Sequence, residues 1–289
     1  MSQADKPATA VLDALIDRLH EQGRLRVWSL VVTIFGDAIV PRGGRVALAT
    51  LQEIIERLRI EPGALRTAMS RLASDRWVTR ERQGRNSYFS LDAHGRHAFD
   101  LATRRIYAGA PPGWAGKWTV AIAPPGSSNG VDLASHGFVR VNGAVFLRAE
   151  TEDATDARAE LADMLVIHGE SAEHPEAIRA LWPAQEIAEA YLAFAASFAP
   201  LKEALNGGAV LRGIDAMAAR TLLIHDWRRI VLRDPGLPAA LLPADWPAEA
   251  ARHTAGEIYA RLATPSEDWL DKAELPPVAD PARFATRWR

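Results

Sequence analysis

The chain has 289 residues, of which 48% are hydrophobic and 24% charged. This length exceeds what a single hydrophobic core usually serves, and the composition excludes a disordered chain. There is no cysteine, which excludes disulfide frameworks, thiolate metal sites and cysteine nucleophiles and fits a reducing compartment. Because the chain has no export leader and no long uncharged apolar run, we expect a cytoplasmic protein with no membrane partner.

The net charge of −2 conceals an uneven distribution along the chain. Residues 1–108 carry 17 Lys and Arg against 12 Asp and Glu, whereas residues 109–289 carry 17 against 24. Within residues 57–85, eight arginines stand against three acidic residues. A partner that is a polyanion is therefore expected at this segment.

The first 60 residues contain three helical patterns. Apolar residues recur at helical spacing over residues 10–20, and Gly23 follows as a stop signal. The segment LRVWSLVVTIF is apolar nearly all round, which predicts a buried helix that ends with a glycine cap at Gly36. After the turn PRGG, apolar positions from Val46 to Leu58 predict another helix.

The next helix, which begins at Pro62, has two distinct faces. At about 100° per residue, one face is apolar and the other combines arginines, small hydroxyls and a glycine, with no acidic residue. A merely solvated face would more often mix Glu and Lys at i,i+4 spacing. Long cations and hydroxyls suit phosphates and base edges. The predicted DNA contacts on this helix are Arg66, Thr67, Ser70 and Arg71.

A β-hairpin is predicted directly after this helix, because WVTRER and SYFSL flank the connection QGRN. Its tip carries Arg82 and Arg85, which we expect to contact DNA, although basic tips also occur as solubilising strand edges. Arg76 and Arg80 are assigned no such role. Helices followed by a basic hairpin are typical of a winged helix-turn-helix, in which one helix enters the major groove and the wing follows the backbone or minor groove.

The remainder of the chain changes from mixed to helical patterns. After a linker at residues 109–114, strands are predicted at 118–123, 137–141, 144–149 and 164–170, with a helix at 153–163. Helices follow at 182–205, 213–233 and 247–262. The proline-containing tail from Leu275 lacks periodicity and is expected to be extended or partly disordered.

No motif in the chain favours catalysis. His225 and Asp226 form an HD pair, but adjacent helical residues point about 100° apart, so we expect a structural role. His94 and His97 lack a third ligand, and GWAGKW lacks the spacing of a phosphate loop and reads as linker. The first central strand ends in APP rather than in a carboxylate that a metal-dependent nuclease needs. The sequence therefore predicts neither an enzyme nor a metal site.

Three segments resemble the PaaX-type transcriptional repressors of phenylacetate catabolism, in the same order and over most of the chain. They are VVTIFGDAIVPRGG, LRTAMSRLASDRWVTRERQGRNSYFSL and LRDPGLPAALLPADWP. The resemblance implies an α+β homodimer that binds double-stranded operator DNA and is released by an acyl-CoA, phenylacetyl-CoA. It also implies DNA contacts, carried over at Arg66, Thr67, Ser70, Arg71, Gly84, Arg85 and Tyr88.

The periodicity of the first residues predicts an N-terminal amphipathic helix (1–24). The resemblance implies that a winged helix domain (25–108), a ferredoxin-like domain (109–172) and a helical effector and dimerisation domain (173–289) follow it. One departure is PPGSSNGVDLASH, which replaces a longer arginine-containing helix of the family pattern. Any contact that the family makes through that helix is therefore not carried over.

The effector site is placed at Arg228, Arg229 and Arg233, the densest basic cluster of the acidic half, since guanidinium groups bind CoA phosphates. Pairing of these arginines with Asp226 or Asp234 is an equal alternative. Trp227 and Trp246 are expected first as core residues and second as walls of an acyl pocket. No resident cofactor is predicted.

Two hypotheses follow. The first is a repressor that an acyl-CoA releases from DNA. The second is a CoA-thioester-binding protein or hydrolase that uses the winged helix as a protein-interaction module. The lack of a nucleophile elbow argues against hydrolysis.

Overall fold

The computed structural model describes residues 6–21, 23, 25–110, 113–126, 133, 136–151, 156–170, 184–234, 236–239 and 242–288. Its fold is α+β, as predicted. The N-terminal elements are α1 (Lys6–Glu21), α2 (Val27–Ile34), β1 (Arg45–Ala47), α3 (Leu48–Arg57), α4 (Pro62–Ser74), β2 (Val78–Gln83), β3 (Asn86–Leu91) and α5 (Ala93–Ile106). The central strands are β4 (Trp114–Ile122), β5 (Val139–Asn142), β6 (Val145–Thr151) and β7 (Leu165–Glu170). The C-terminal helices are α6 (Ala184–Asn206), α7 (Gly213–Val231), α8 (Ala248–Lys272) and α9 (Pro281–Ala285).

Helices α3 and α4 and the hairpin β2–β3 form the winged helix that the sequence predicts. The hairpin is completed into an antiparallel sheet of order β1-β3-β2. Gln83 pairs with Asn86, so the loop is the two residues Gly84 and Arg85. Gly84 has φ +60° at the first central position, as a type II′ turn requires. Val46, predicted to be helical, instead pairs with Phe89 in the sheet, because the edge of β3 offers it backbone partners.

Helix α2 does not end at Gly36, and the predicted glycine cap is wrong. The chain continues through a π-helical turn (Phe35–Ile39) and a 3-10 turn (Val40–Arg42), and the left-handed residue at the end is Gly43, with φ +90°. The reason for glycine at position 36 is packing, since a Cβ there would lie 2.6 Å from a ring carbon of Phe99 in α5. The two helices approach each other too closely for any side chain.

The central strands form an antiparallel sheet of order β5-β6-β4-β7. With β4 counted as the first strand, this is order 2-3-1-4, the arrangement of a ferredoxin-like fold. The predicted helix at 153–163 is not formed in its described part. Residues 158–163 are turns there, because the backbone hydrogen bonds do not repeat regularly from residue i to residue i+4. GWAGKW is not a linker, because β4 begins at Trp114. Most of PPGSSNGVDLASH lies outside the described residues.

The C-terminal helices follow their predicted positions closely, with two exceptions. Helix α8 continues past Leu262 to Lys272, through Pro265, because Ser266 and Leu270 are buried and their packing outweighs the proline. The tail is not disordered. It forms α9, and Trp288 packs against Tyr107, Trp227 and Tyr259 at ring distances of 5.6–5.8 Å. Trp182, the predicted start of α6, lies outside the described residues.

One continuous hydrophobic core joins the winged helix to the C-terminal helices. It includes Leu30 and Ile34 of α2, Phe198 of α6, Leu223 and Trp227 of α7. The central sheet has smaller clusters of its own. The winged helix is therefore packed on the C-terminal helices as part of the same interior.

A buried polar cluster, the Asp37 cluster, lies within this shared core. It consists of Asp37, Tyr107, Arg220, Tyr259 and Arg287. The Asp37 carboxylate accepts from Arg220 Nε at 2.6 Å, Tyr259 Oη at 3.0 Å and Arg287 Nη1 at 3.1 Å, and also from Tyr107. Burial alone would raise the pKa of Asp37, but Arg220 and Arg287 hold it below the ordinary value. The π turn, α7, α8 and the tail are thereby tied to one carboxylate.

Candidate nucleic-acid interface

Helix α4 has the two faces that its sequence predicts. Arg66, Thr67, Ser70 and Arg71 are all exposed. The opposite face is buried and consists of Leu65, Ala68, Met69 and Leu72. The buried face packs into the shared core beside α2 and α3, so the arginine face is presented to solvent by a rigid support.

The two arginines of α4 differ in their freedom. The guanidinium carbon of Arg71 lies 5.4 Å from the centre of the Trp28 ring of α2. Its Nε lies 3.5 Å from Oδ2 of Asp75, the residue that follows α4. Its side chain is still 64% exposed, so this pair is weak. Arg66 makes no ion pair with a described residue. Thr67 donates its hydroxyl to the Gly63 carbonyl at 3.0 Å, which leaves the hydroxyl oxygen as an acceptor.

The predicted wing residues do not all lie on one face of the hairpin. Gly84 and Arg85 form the turn, and the exposed Arg82 donates to the Gly84 carbonyl at 3.2 Å. The side chain of Arg82 shares the strand face of Val78, whereas Tyr88 pairs with Glu81 and so faces the other way. The turn and Arg82 can contact a DNA backbone together, while Tyr88 belongs to the outer side of the sheet.

Arg45 is a cation of the wing that sequence reasoning missed. Its guanidinium lies 3.9 Å from the centre of the Tyr88 ring and 3.4 Å from Glu81. Only the pairing of β1 with β3 brings it there, which no local pattern in the sequence reveals. Arg80, to which the sequence assigned no role, is exposed on the face of Arg82 and donates to Ser87 at 2.9 Å.

Segment 57–85 presents fewer available positive charges to a partner than its eight arginines suggest. Arg57 and Arg59 are held by acidic residues of α1 and α7, namely Asp13, Asp17 and Asp215. The six remaining arginines, at positions 66, 71, 76, 80, 82 and 85, are exposed. They lie on α4, the turn after it and the wing, which gives one end of the module a concentrated positive charge.

The three predicted effector arginines are separated in the structure. Arg228 points to α2, where it donates to Thr33 Oγ1 at 2.7 Å and to the carbonyl and hydroxyl oxygens of Ser29 at 2.8 and 2.7 Å. Arg229 and Arg233 are exposed, and Arg233 Nε donates to the Arg229 carbonyl. Burial, together with Arg229, lowers the pKa of Arg228 to about 10, so it remains charged at neutral pH.

The HD pair takes two structural roles. His225 Nδ1 lies 3.2 Å from Thr33 Oγ1, and Asp226 forms a salt bridge of 2.6 Å with Arg18. Burial, assisted by Arg228 and Arg229, lowers the pKa of His225 to about 3. The side chains of His94 and His97 lie outside the described residues. Within the described part of the chain, no group of three or more potential ligands can hold a metal ion.

Comparison with known proteins identifies two family regions in this chain. Residues 26–95 match the PaaX-like protein family, and residues 182–272 match the PaaX-like protein C-terminal domain. The chain is 32% identical over 259 residues to the transcriptional repressor PaaX of Escherichia coli (strain K12). The aligned region covers 81% of this chain and 80% of that protein.

The chain also resembles a solved structure, the uncharacterized protein Rv0674 from Mycobacterium tuberculosis, with 20% identity and a TM-score of 0.49. The match covers 78% of this chain and 91% of that chain.

None of the helices in the described residues combines the length and apolar character that crossing a bilayer requires. The two matched regions both belong to PaaX-like proteins, and the bacterial relative is itself a PaaX. Together they cover most of the sequence, so the chain belongs to the PaaX-like protein family.

Proposed function

We propose that this protein is a transcriptional repressor that binds double-stranded operator DNA as a homodimer and controls genes of phenylacetate-type catabolism. The observation that carries the proposal is the exposed arginine and hydroxyl face of α4, mounted on a buried apolar face and flanked by a basic wing. The bacterial relative is itself named a transcriptional repressor. Two such modules related by two-fold symmetry would fit half-sites about one DNA turn apart.

The proposed division of labour follows from how each side chain is held. Arg66 is free of carboxylates among the described residues and lies on the helix that enters the major groove, where a guanidinium reads guanine through two hydrogen bonds. Arg82 and Arg85 lie at the wing, where phosphate contacts supply affinity without sequence information. Arg71, supported by Trp28, orients the helix on the backbone.

The second part of the proposal is release by an acyl-CoA effector. An effector lowers the occupancy of operator DNA only if it binds the conformation that cannot bind DNA more tightly than the one that can. Helix α2 packs beside α4 and also accepts hydrogen bonds from Arg228 of α7, so the C-terminal helices are connected to α4 through it.

The test begins with selection of binding sites from a pool of random duplexes, followed by fluorescence anisotropy titrations at several salt concentrations. We expect Arg66→Ala to lose about 1–3 kcal/mol of discrimination between the selected site and a mismatched one. Arg158→Ala is the matched control, since it removes the same charge from a side chain that is 93% exposed in the central domain.

Binding that does not weaken with salt, or unchanged sequence preference in Arg66→Ala, would contradict the proposal. The effector part is tested by adding phenylacetyl-CoA to the protein–DNA complex. Recovery of free DNA supports it, whereas thiol release from phenylacetyl-CoA at an enzymatic rate would indicate the hydrolase alternative.

A further inference from the structure

Several helices of the described chain end in the same backbone turn, but with different residues at its centre. After α3, α4, α6 and α8 the left-handed residue is Arg59, Arg76, Gly208 and Glu274, with φ of 57°, 56°, 88° and 59° respectively. Each turn is closed by the two backbone hydrogen bonds of a Schellman motif. Glycine is favoured there because it has no Cβ to clash with the backbone. A larger residue therefore occupies a conformation that is costly for it.

The side chain of Arg59 makes contacts that glycine could not supply. Its Nη1 lies 2.5 Å from Oδ1 of Asp17, and its Nη2 lies 3.2 Å from Oδ1 of Asp13. Both carboxylates belong to α1. At the end of α3, the cost of the left-handed backbone is therefore offset in part by ion pairs with another element of the chain.

Arg76 has the same backbone conformation but no such partner. It is exposed, and its guanidinium makes neither a hydrogen bond nor an ion pair with a described residue. The neighbouring carboxylate, Asp75, lies 3.5 Å from Nε of Arg71 instead. Glu274 has no ion-pair partner among the described residues either, so the backbone conformation alone assigns no role. The charge of Arg76 and its place in the winged helix decide the matter.

Arg76 lies at the junction of the two elements that the proposed function places on DNA. It follows α4 closely, and the first strand of the wing, β2, begins at Val78. Trp77, between them, packs against the shared core, with its ring centre 5.9 Å from that of Phe99. The closed turn and the packed Trp77 hold the backbone of Arg76 in place before DNA binds. Fewer dihedral angles then have to be ordered on binding.

We propose that Arg76 binds a phosphate of the DNA backbone between the contacts of α4 and those of the wing. This inference rests on the proposed repressor function and adds a binding residue to it. A guanidinium makes strong, charge-assisted hydrogen bonds to phosphate, and such a contact supplies affinity without sequence information. The alternative is a solvated charge that interacts only with the last carbonyl groups of α4.

The variant Arg76→Gly separates these two roles, because stability and DNA binding should respond differently. Glycine relieves the left-handed backbone, so we expect the full chain to unfold at the same urea concentration as the wild type or at a higher one. Affinity for the selected operator and for a mismatched duplex should fall by the same factor. The slope of log K against log salt should become less steep by about one per bound subunit.

Two further variants control for backbone and charge. Arg59→Gly makes the same change at the turn after α3, where the arginine is already paired with α1, and should leave the salt slope unchanged. Arg76→Lys keeps a positive charge at the junction and should recover most of the slope that Arg76→Gly loses. Urea titrations and anisotropy titrations on the same protein samples provide both readouts.

An Arg76→Gly variant with the affinity and salt slope of the wild type would overturn the inference. So would a variant that unfolds at a lower urea concentration, since the side chain would then be structural. Loss of discrimination between the operator and the mismatched duplex would also overturn it, because Arg76 would then contact bases. Failure of the repressor proposal is distinguishable from these results, since in that case the wild type itself would show no salt-dependent binding to any duplex.

Discussion

At the scale of single residues, the side chains that tie the two halves of the molecule together are buried and polar. The Asp37 side chain is 1% exposed and is surrounded by Arg220, Arg287 and two tyrosines. A buried carboxylate is tolerated only when its partners compensate for the lost water, as they do here. His225, 4% exposed, lies in the same interior but beside two arginines, so it remains neutral.

The neutral His225 predicts a dependence of stability on pH. Its pKa is about 3 in the folded protein against 6.5 as the ordinary value, so between these limits the unfolded chain binds a proton that the folded chain does not. The free energy of unfolding should therefore fall as pH decreases below 6.5, by up to about 1.4 kcal/mol per pH unit from this group. Urea titrations at pH 7.5, 6 and 5 measure it.

His225→Gln should flatten this dependence between pH 6.5 and 5. If wild type and His225→Gln lose the same free energy of unfolding over this range, the interpretation of His225 is wrong. Asp37 does not confuse the comparison, because its pKa lies below the ordinary carboxylate value and its contribution is lost at lower pH.

At the scale of elements, α4 and the wing are held in different ways. Helix α4 is fixed in place by its buried face, whereas every residue of wing strand β2 after Val78 is exposed. The wing is therefore suited to electrostatic contact with a backbone, and the rigid helix to contact with base edges.

This difference predicts distinct effects of two arginine substitutions. Arg85→Ala should weaken binding to all duplexes alike and reduce the slope of log K against log salt by about one, since one phosphate contact is lost. Arg66→Ala should instead change the preference between sequences. Anisotropy titrations at four salt concentrations separate the two, with Arg96→Ala as a control away from the wing. An Arg85→Ala variant that alters sequence preference would reassign the wing to base recognition.

At the scale of the whole molecule, the winged helix depends on helices that follow it by more than 100 residues. The core residues of α2 pack against α7, and the Asp37 carboxylate takes its cations from α7 and the tail. The hydrophobic core is therefore continuous across the predicted domain boundary at residue 108, and joins the winged helix to the C-terminal helices.

A fragment of residues 25–108 provides the test of that boundary. We expect it to be poorly folded, because Asp37 would lose Arg220 and Arg287 and the apolar side of α2 would face water. In the full chain, Arg287→Ala should cost about 3–5 kcal/mol, since it removes one partner of a buried pair. If the isolated fragment has well-dispersed amide resonances and a free energy of unfolding equal to that of the full chain, the winged helix folds independently.

Several features were predictable from the sequence because they depend on neighbours close along the chain. Helical periodicity defined both faces of α4, and strand patterns around Gly84 predicted the hairpin. The same local reasoning located the four central strands and the C-terminal helices to within a few residues, apart from the end of α8. The exposed Arg66 and Arg71 of α4 were found for the same reason, since their exposure follows from the helical face.

The features that only the tertiary structure decided depend on distant partners. Close packing against Phe99 explains why position 36 is a glycine although it does not cap the helix, and pairing with β3 places Val46 in a sheet. The tail folds because Trp288 packs against Tyr107, Trp227 and Tyr259, and because Arg287 pairs with Asp37 of the π turn. Local periodicity records which side of an element is buried, but not which other element covers it.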